Sequence, residues 1–161
     1  MTTQTDEVRK LTELLGDERI GMLTTTAPDG ALTSRPMAMQ EVEEDGDLWL
    51  FADRGSGKFD AIATHPHVNF AVSTASTWIS LAGRAELVDD PARKKALWNA
   101  GADAWFPDGE DNPDIVLLRI DAESAEYWDT PGGRISTLLS FVKTRVTGEP
   151  RKDDNARVEL T

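Results

Sequence analysis

The chain carries the sequence LWLFADRGSGKFDAI at residues 48–62. Its first part, Leu48 to Ala52, is an apolar run typical of a strand, and the stretch from Gly57 to Thr64 has helical spacing. A strand followed at once by a glycine-rich turn and a helix brings free backbone amides, the Ser56 hydroxyl and the Lys58 ammonium together. Such an arrangement can hold a phosphate group.

The same residues also have a purely structural interpretation. Ser56 can be a helix N-cap without any ligand, since serine is a preferred N-cap residue. Lys58, however, would lie in the first helical turn, where a cation opposes the helix dipole and a bound anion would relieve that conflict. The segment is not an NTP-binding loop, because Ala52 stands in place of its first glycine and Phe59 in place of the Ser or Thr after the lysine.

A second unusual segment, Leu32–Met39, places Arg35 among strand-like apolar residues. Pro36 cannot donate to a central ladder, so an exposed edge strand would explain the arginine without any function. The alternative is a ligand-facing edge at which Ser34 and Arg35 contact a bound group, since a guanidinium suits phosphate or a polarised carbonyl. Together the two segments indicate a small barrel that binds a phosphorylated, largely apolar ligand.

Turn signals divide the chain into short elements. Pro28-Asp-Gly30 joins two strands and Glu44-Asp-Gly-Asp47 leads into a third, which predicts an antiparallel meander. Consecutive strands are too close for crossover helices, and a closed antiparallel barrel leaves no exposed sheet edge, so we expect a mainly β fold with flanking helices. The predicted helices are Thr5–Asp17, Gly57–Thr64, Pro91–Trp98 and Ile135–Val146, and the predicted strands are Ile20–Thr26, Ala31–Met39, Leu48–Ala52, Val68–Ser73, Trp78–Val88, Ile115–Asp121 and Ala125–Asp129.

Composition excludes several classes of function. The 161 residues suffice for one domain, which we expect at residues 1–148, followed by a polar C-terminal tail at 149–161. A net charge of -12 repels nucleic acid and anionic membranes. The chain has no cysteine, hence no thiolate nucleophile, and it shows neither a membrane-spanning run nor a secretory signal. We therefore expect a cytoplasmic protein.

Histidines and tryptophans add further hypotheses. His65 and His67 have no near third ligand, so they favour a helix end and we expect no metal site. No Ser-His-Asp order suits a hydrolase, and a cofactor would carry any reaction. Residues 102–113 are rich in Pro, Gly and acidic residues and predict a loop. In it, Trp105 and Phe106 can be a lid over a flat aromatic ligand or an interface anchor.

Short motifs follow one another in a fixed order between Thr5 and Gly148. After the N-terminal helix these are Gly21-Met-Leu-Thr-Thr25, Thr33-Ser-Arg-Pro-Met37, Leu50-Phe-Ala-Asp-x-x-Ser-x-Lys58, Val68-Asn-Phe-Ala-Val72, Ile79-Ser-Leu-Ala-Gly-Arg-Ala85 and Glu126-Tyr-Trp-Asp129. This order resembles the pyridoxamine 5'-phosphate oxidase-like, flavin-binding split-barrel proteins of the general stress protein branch. The resemblance implies a six-stranded antiparallel split β-barrel of the FMN-binding type, which forms a homodimer with FMN at the subunit interface.

The resemblance also implies roles for particular residues. Arg35 and Lys58, with Ser56, would bind the phosphate and ribityl end of FMN. Trp78 and Trp105 are further candidates near the isoalloxazine ring. The ring itself would be lined by the backbone of two strand segments, which comprise Ser34, Arg35, Pro36 and Met37, and Leu50, Phe51, Ala52 and Asp53.

The activity implied is that of a flavin-dependent oxidoreductase linked to the stress response, acting on a small-molecule substrate. The alternatives are a flavin-binding or storage protein without turnover, and a binder of deazaflavin or haem in the same fold. No catalytic residue is identified. The chain lacks the family's basic C-terminal signature and carries Lys152-Asp-Asp-Asn155 instead, which argues against oxidation of vitamin B6.

Overall fold

The computed structural model describes residues 3–16, 19–107, 109–129 and 156–159. The predicted helix at Ile135–Val146 lies outside these residues. The described helices are α1 Gln4–Gly16, α2 Lys58–Thr64, α3 Pro91–Leu97 and α4 Ala100–Trp105, and the described strands are β1 Ile20–Thr26, β2 Leu32–Val42, β3 Leu48–Asp53, β4 His67–Ser73, β5 Thr77–Val88, β6 Ile115–Asp129 and β7 Ala156–Glu159. None of the described helices has the length and apolar character needed to cross a membrane.

Six of the strands close into an antiparallel barrel. They follow the order β3-β2-β1-β4-β5-β6, and β6 pairs back onto β3. The long strand β6 has 15 residues, of which Ile115–Ile120 pair with β3 and Ser124–Tyr127 pair with β7. The closed ring confirms the mainly β fold class and the six-stranded antiparallel split β-barrel.

Tight turns connect β1 to β2 and β2 to β3, as the sequence predicts. Gly30 and Gly46 have φ of 89° and 96°, a left-handed conformation that glycine adopts without strain. In β1 the buried residues Gly21, Leu23 and Thr25 alternate with more exposed ones, so one face of the strand lines the barrel. This alternation decides which side chains point inward on each strand.

Helices cover the barrel in two places. Leu11 and Leu15 of α1 and Ile62 of α2 are buried in the main core with the inward residues of the strands. A second core lies on the outer side of β3 and β6, where Trp49 and Phe51 pack with Ala102 of α4 and with the partly buried Trp98 and Phe106. This outer core fixes α4 beside β3.

The predicted loop at residues 102–113 is wrong at its start. α4 covers Ala100–Trp105, because Asn99 Oδ1 accepts hydrogen bonds from the backbone N–H groups of Gly101 and Ala102 at 2.9 and 3.1 Å. A helix with an asparagine N-cap therefore carries Trp105.

The two predicted late strands form the single strand β6. Its pairing with β5 continues past a shift of register between Ala82 and Gly83, which lie opposite Ser124 and Ala122. Glu123 is the extra residue of this bulge, and bulges leave one residue unpaired without ending the strand. Within the predicted polar tail at 149–161, residues 156–159 form β7.

Candidate functional site

Arg35 lies where β2 and β3 separate. β2 pairs with β1 from Leu32 to Ala38, but its pairing with β3 involves only Met39–Val42. The Leu32–Ala38 stretch is therefore locally an edge, which agrees with Pro36 and its missing N–H. Both interpretations of Arg35, an edge strand without function and a ligand-facing edge, require that this stretch of β2 has no neighbour on one side. The gap between β2 and β3 provides this.

The side chain of Arg35 shares a face with buried residues. Arg35 is paired with Leu23 of β1, which is 0% exposed, so both point to the barrel side of the sheet. Its guanidinium donates to Thr25 Oγ1 at 3.1 Å, and Thr25 is itself buried. The structure thus adds Thr25, to which the sequence analysis gave no role in the site, to the surroundings of Arg35.

Lys58 is the first residue of α2 and only 8% exposed. Burial lowers the pKa of its ammonium, the nearby Arg35 guanidinium lowers it further, and the Asp53 carboxylate partly opposes both effects. Among the described residues, no acceptor lies within hydrogen-bonding or ion-pair distance of Lys58 Nζ. A mostly buried lysine side chain beside a second cation favours an accompanying anion, because its ammonium is partly desolvated.

The turn between β3 and α2 is braced by Asp53. Its Oδ1 accepts from the Gly55 N–H at 2.8 Å, and its backbone oxygen accepts from Ser56 Oγ at 2.7 Å. The N-cap position of α2 belongs to Gly57, which makes no side-chain cap. The prediction that Ser56 caps the helix is therefore wrong, because its hydroxyl is directed back to the strand.

A cleft lies between the outer side of β2 and α4. Its lining residues include four of the predicted site residues, Pro36, Met37, Phe51 and Trp105, of which Trp105 is 61% exposed. Phe106, which the sequence analysis paired with Trp105 as a lid or interface anchor, also lines it. The sequence did not single out the other four, which are Ile20, Ala38, Gln40 and Ala102.

Other predicted site residues lie apart from this cleft. The side chains of Leu50 and Ala52 are 0% exposed in the barrel core, so only their backbone can face a ligand. Ser34 is exposed, with its Oγ 2.6 Å from the hydroxyl of Thr24. Trp78 lies on β5, which β1 and β4 separate from β2, a distance of roughly 14 Å across the sheet. Within one chain, Trp78 is therefore remote from Arg35.

Comparison with known proteins identifies the family. The profile of the family described as pyridoxamine 5'-phosphate oxidase like matches residues 6–152. The chain belongs to this family. General stress protein 26 of Bacillus subtilis is 25% identical to it over 126 residues, 74% of this chain and 86% of that protein.

Two further relatives match a larger share of this chain. Protein bli-3 of Neurospora crassa is 27% identical over 156 residues, 89% of this chain and 75% of that protein. The crystal structure of the general stress FMN/FAD binding protein from Xanthomonas citri has a TM-score of 0.63 and 27% identity, and covers 89% of this chain and 97% of that one. These matches confirm the resemblance to the general stress protein branch.

An acidic cluster lies in the turn between β2 and β3. Carboxylate oxygens of Glu43, Asp45 and Asp47 lie within 4.8 Å of one another. Glu43 accepts from Arg93 at 2.9 Å, and the buried Asp47 pairs with Arg119. Because arginines already pair with two of the three carboxylates, the cluster holds the turn against α3 and β6.

The two histidines lie around the end of α2. His65 is the C-cap residue, and its N–H donates to the Ala61 carbonyl at 2.7 Å, which confirms the predicted helix end. His67 begins β4 and is exposed, with Nε2 3.9 Å from a carboxylate oxygen of Glu123. Neither position gives an imidazole the buried surroundings typical of a general base.

Proposed function

We propose that this chain binds FMN and acts as a flavin-dependent oxidoreductase, with the phosphate held by Arg35 and Lys58. The observation that carries the proposal is the pair of adjacent cations at the gap between β2 and β3. Lys58 is nearly buried there, and the described residues offer its ammonium no acceptor. A phosphate group supplies the missing negative charge and several acceptor oxygens.

The residues present fit such a ligand. The Lys58 ammonium and the Arg35 guanidinium would bind phosphate oxygens. The N–H groups of Gly55 and Ser56 already donate to Asp53, which leaves the Gly57 N–H as a backbone donor of this loop at the start of α2. The isoalloxazine would be lined by the diverging backbone of Ser34–Met37 and Leu50–Asp53. The Xanthomonas citri relative, described as FMN/FAD binding, supports a flavin as the ligand.

The outer face of the barrel supports a homodimer. A run of neighbouring outward positions on β1, β4 and β5 carries no charged side chain and ends on β5 at Arg84 and Glu86, although the whole chain has a net charge of -12. Ile20, Met22 and Trp78 on this face are 54%, 42% and 42% exposed. A self-complementary uncharged face of this kind suits a second copy of the chain. The remaining positions are Thr24, Asn69, Ala71, Ser73, Ser80 and Ala82.

In such a dimer the site would draw on both chains. Trp78 is remote from Arg35 of its own chain but lies on the proposed dimer face, so it is a candidate contact for the partner's flavin. We further propose that the dimer is cytoplasmic.

The bound flavin would supply the electron transfer, and the chain's own groups would bind and orient it. The sequence contains no cysteine, and both histidines lie around the end of α2. Arg35 and Lys58 anchor the phosphate and so fix where the ring lies. Steady oxidation of NAD(P)H by the loaded protein is expected of an oxidoreductase, whereas retention of flavin without turnover would indicate a storage protein.

Titration of FMN and riboflavin tests the phosphate site. Loss of a hydrogen bond to a charged group costs about 1.5–3 kcal/mol, so Lys58→Ala should weaken FMN binding by about 10- to 100-fold and leave riboflavin almost unchanged. Lys95→Ala, an exposed lysine on α3, is the matched control and should change neither.

Equal losses for FMN and riboflavin in Lys58→Ala would contradict the phosphate role, because they would indicate a general effect on the fold. Unchanged riboflavin affinity in the same variant shows that the site is still folded. The absorption spectrum of the protein as purified distinguishes flavin from deazaflavin and haem.

A further inference from the structure

The cleft between β2 and α4 has flat apolar walls. Pro36 and Ala38 of β2 and Phe51 of β3 form one side, and Trp105 and Phe106 at the end of α4 form the other. Trp105 is 61% exposed as a residue, so much of its surface is available to a ligand. Pro36, Met37 and Phe51 belong to the two strand segments proposed to line the isoalloxazine, so the cleft adjoins the proposed flavin site.

The described side chains that line the cleft carry no charge, and the indole N–H of Trp105 is a neutral donor among them. Gln40 is the one amide side chain among them, and each end of its amide already makes a hydrogen bond within the chain. Its Oε1 accepts from Asn99 Nδ2 at 2.7 Å, and its Nε2 donates to the Ala38 carbonyl at 3.1 Å. A charged group entering the cleft would lose hydration without gaining an oppositely charged side chain in return.

Asn99 holds the two walls together. Its Oδ1 caps α4 and its Nδ2 donates to Gln40 of β2, so one side chain both starts the helix and ties it to the strand. The rings of Phe51 and Trp98 also pack together, with centroids 4.8 Å apart and planes tilted by 50°. The cleft is thus preformed, as ligand sites commonly are.

We propose that this cleft binds the substrate and selects an uncharged, planar, apolar molecule of the aromatic or quinone class. The proposal rests on the proposed function, since the substrate would lie beside the flavin. Trp105 is its specificity-determining residue, because its indole would stack on a planar ligand. The cations Arg35 and Lys58 serve the flavin phosphate and leave the cleft itself without positive charge.

Two probes that share one ring system test this selectivity. Equilibrium dialysis at pH 7 of the FMN-loaded protein against 2-naphthol, which is neutral, and 2-naphthalenesulfonate, an anion, should give at least about tenfold tighter binding of 2-naphthol. Trp105→Ala should weaken 2-naphthol binding at least about fivefold, and Trp105→Arg should reduce or reverse the preference. Leu87→Ala, an exposed apolar residue on β5, is the control and should leave both affinities unchanged.

Three results would overturn the proposal. They are equal affinity for the two probes, 2-naphthol binding that is unchanged in Trp105→Ala, and release of FMN into the dialysate as 2-naphthol binds. The last would place the flavin ring itself in the cleft. A protein that retains no FMN would refute the proposed function, whereas the probe preference of the flavin-free protein still tests the cleft separately.

Discussion

FMN binding should weaken with rising pH before an ordinary lysine loses its proton. In the free protein, burial and the Arg35 guanidinium lower the pKa of Lys58 below its usual value of about 10.4. A bound phosphate raises that pKa again. The affinity for FMN is therefore highest below the pKa that Lys58 has in the free protein. Above that pKa the affinity falls by up to about tenfold per pH unit, and it levels off above the pKa that Lys58 has in the complex.

The size of the decrease follows from one charge-assisted hydrogen bond. At about 1.5–3 kcal/mol, the ratio of FMN to riboflavin affinity should fall by about 10- to 100-fold between neutral pH and the plateau. Flavin fluorescence titrations at a series of pH values measure both ligands. Riboflavin carries the same ring, so titration of the ring cancels in the ratio.

Two variants control this experiment. Lys58→Ala should show a low ratio with much less pH dependence, and Arg35→Gln should move the decrease to higher pH, because one cause of the lowered pKa is gone. A ratio that stays constant through the alkaline range, or an identical profile in Lys58→Ala, would refute the assignment of Lys58 to the phosphate.

Three further predictions concern stability, chemistry and assembly. Asp47→Ala removes the acceptor of the buried Ala122 N–H and one partner of Arg119, and should lower the free energy of unfolding in urea by about 1–3 kcal/mol. Glu86→Ala, at the more exposed partner of the same arginine, should cost less than about 1 kcal/mol. The double variant His65→Ala/His67→Ala should keep NAD(P)H-dependent flavin reduction within a few-fold of the parent, and abolished turnover at full FMN occupancy would make one imidazole an acid or base. Light scattering should give a dimer mass, and a monomer with bound flavin would contradict a shared site.

Much of the fold could be predicted from local sequence. Period-2 alternation and the glycine turns at Gly30 and Gly46 identify the first three strands, and their observed starts lie within one residue of those predicted. β6 continues as one strand because it pairs with its neighbour β5 along its length. The sequence does not show this continuity, because polar residues such as Glu123 interrupt the apolar pattern between the two predicted strands. α4 was missed because the composition after it resembles a loop, although Asn99 is a recognisable N-cap signal.

The site was only partly predictable, because some of its contacts depend on how the strands pair. Arg35 and Lys58 have unusual residue types for their positions, and the structure places them close enough for one to lower the pKa of the other. Thr25, the acceptor for Arg35, follows from the register of β1 and β2, which the sequence alone does not specify. Gln40 lies two residues beyond Ala38 on the same face of β2, so alternation could have identified it.

A crystal structure of the FMN complex tests the central claim most directly. The account predicts phosphate oxygens within about 3.2 Å of Lys58 Nζ and of the Arg35 guanidinium. A phosphate bound elsewhere on the chain, with Lys58 and Arg35 contacting no ligand, would contradict it.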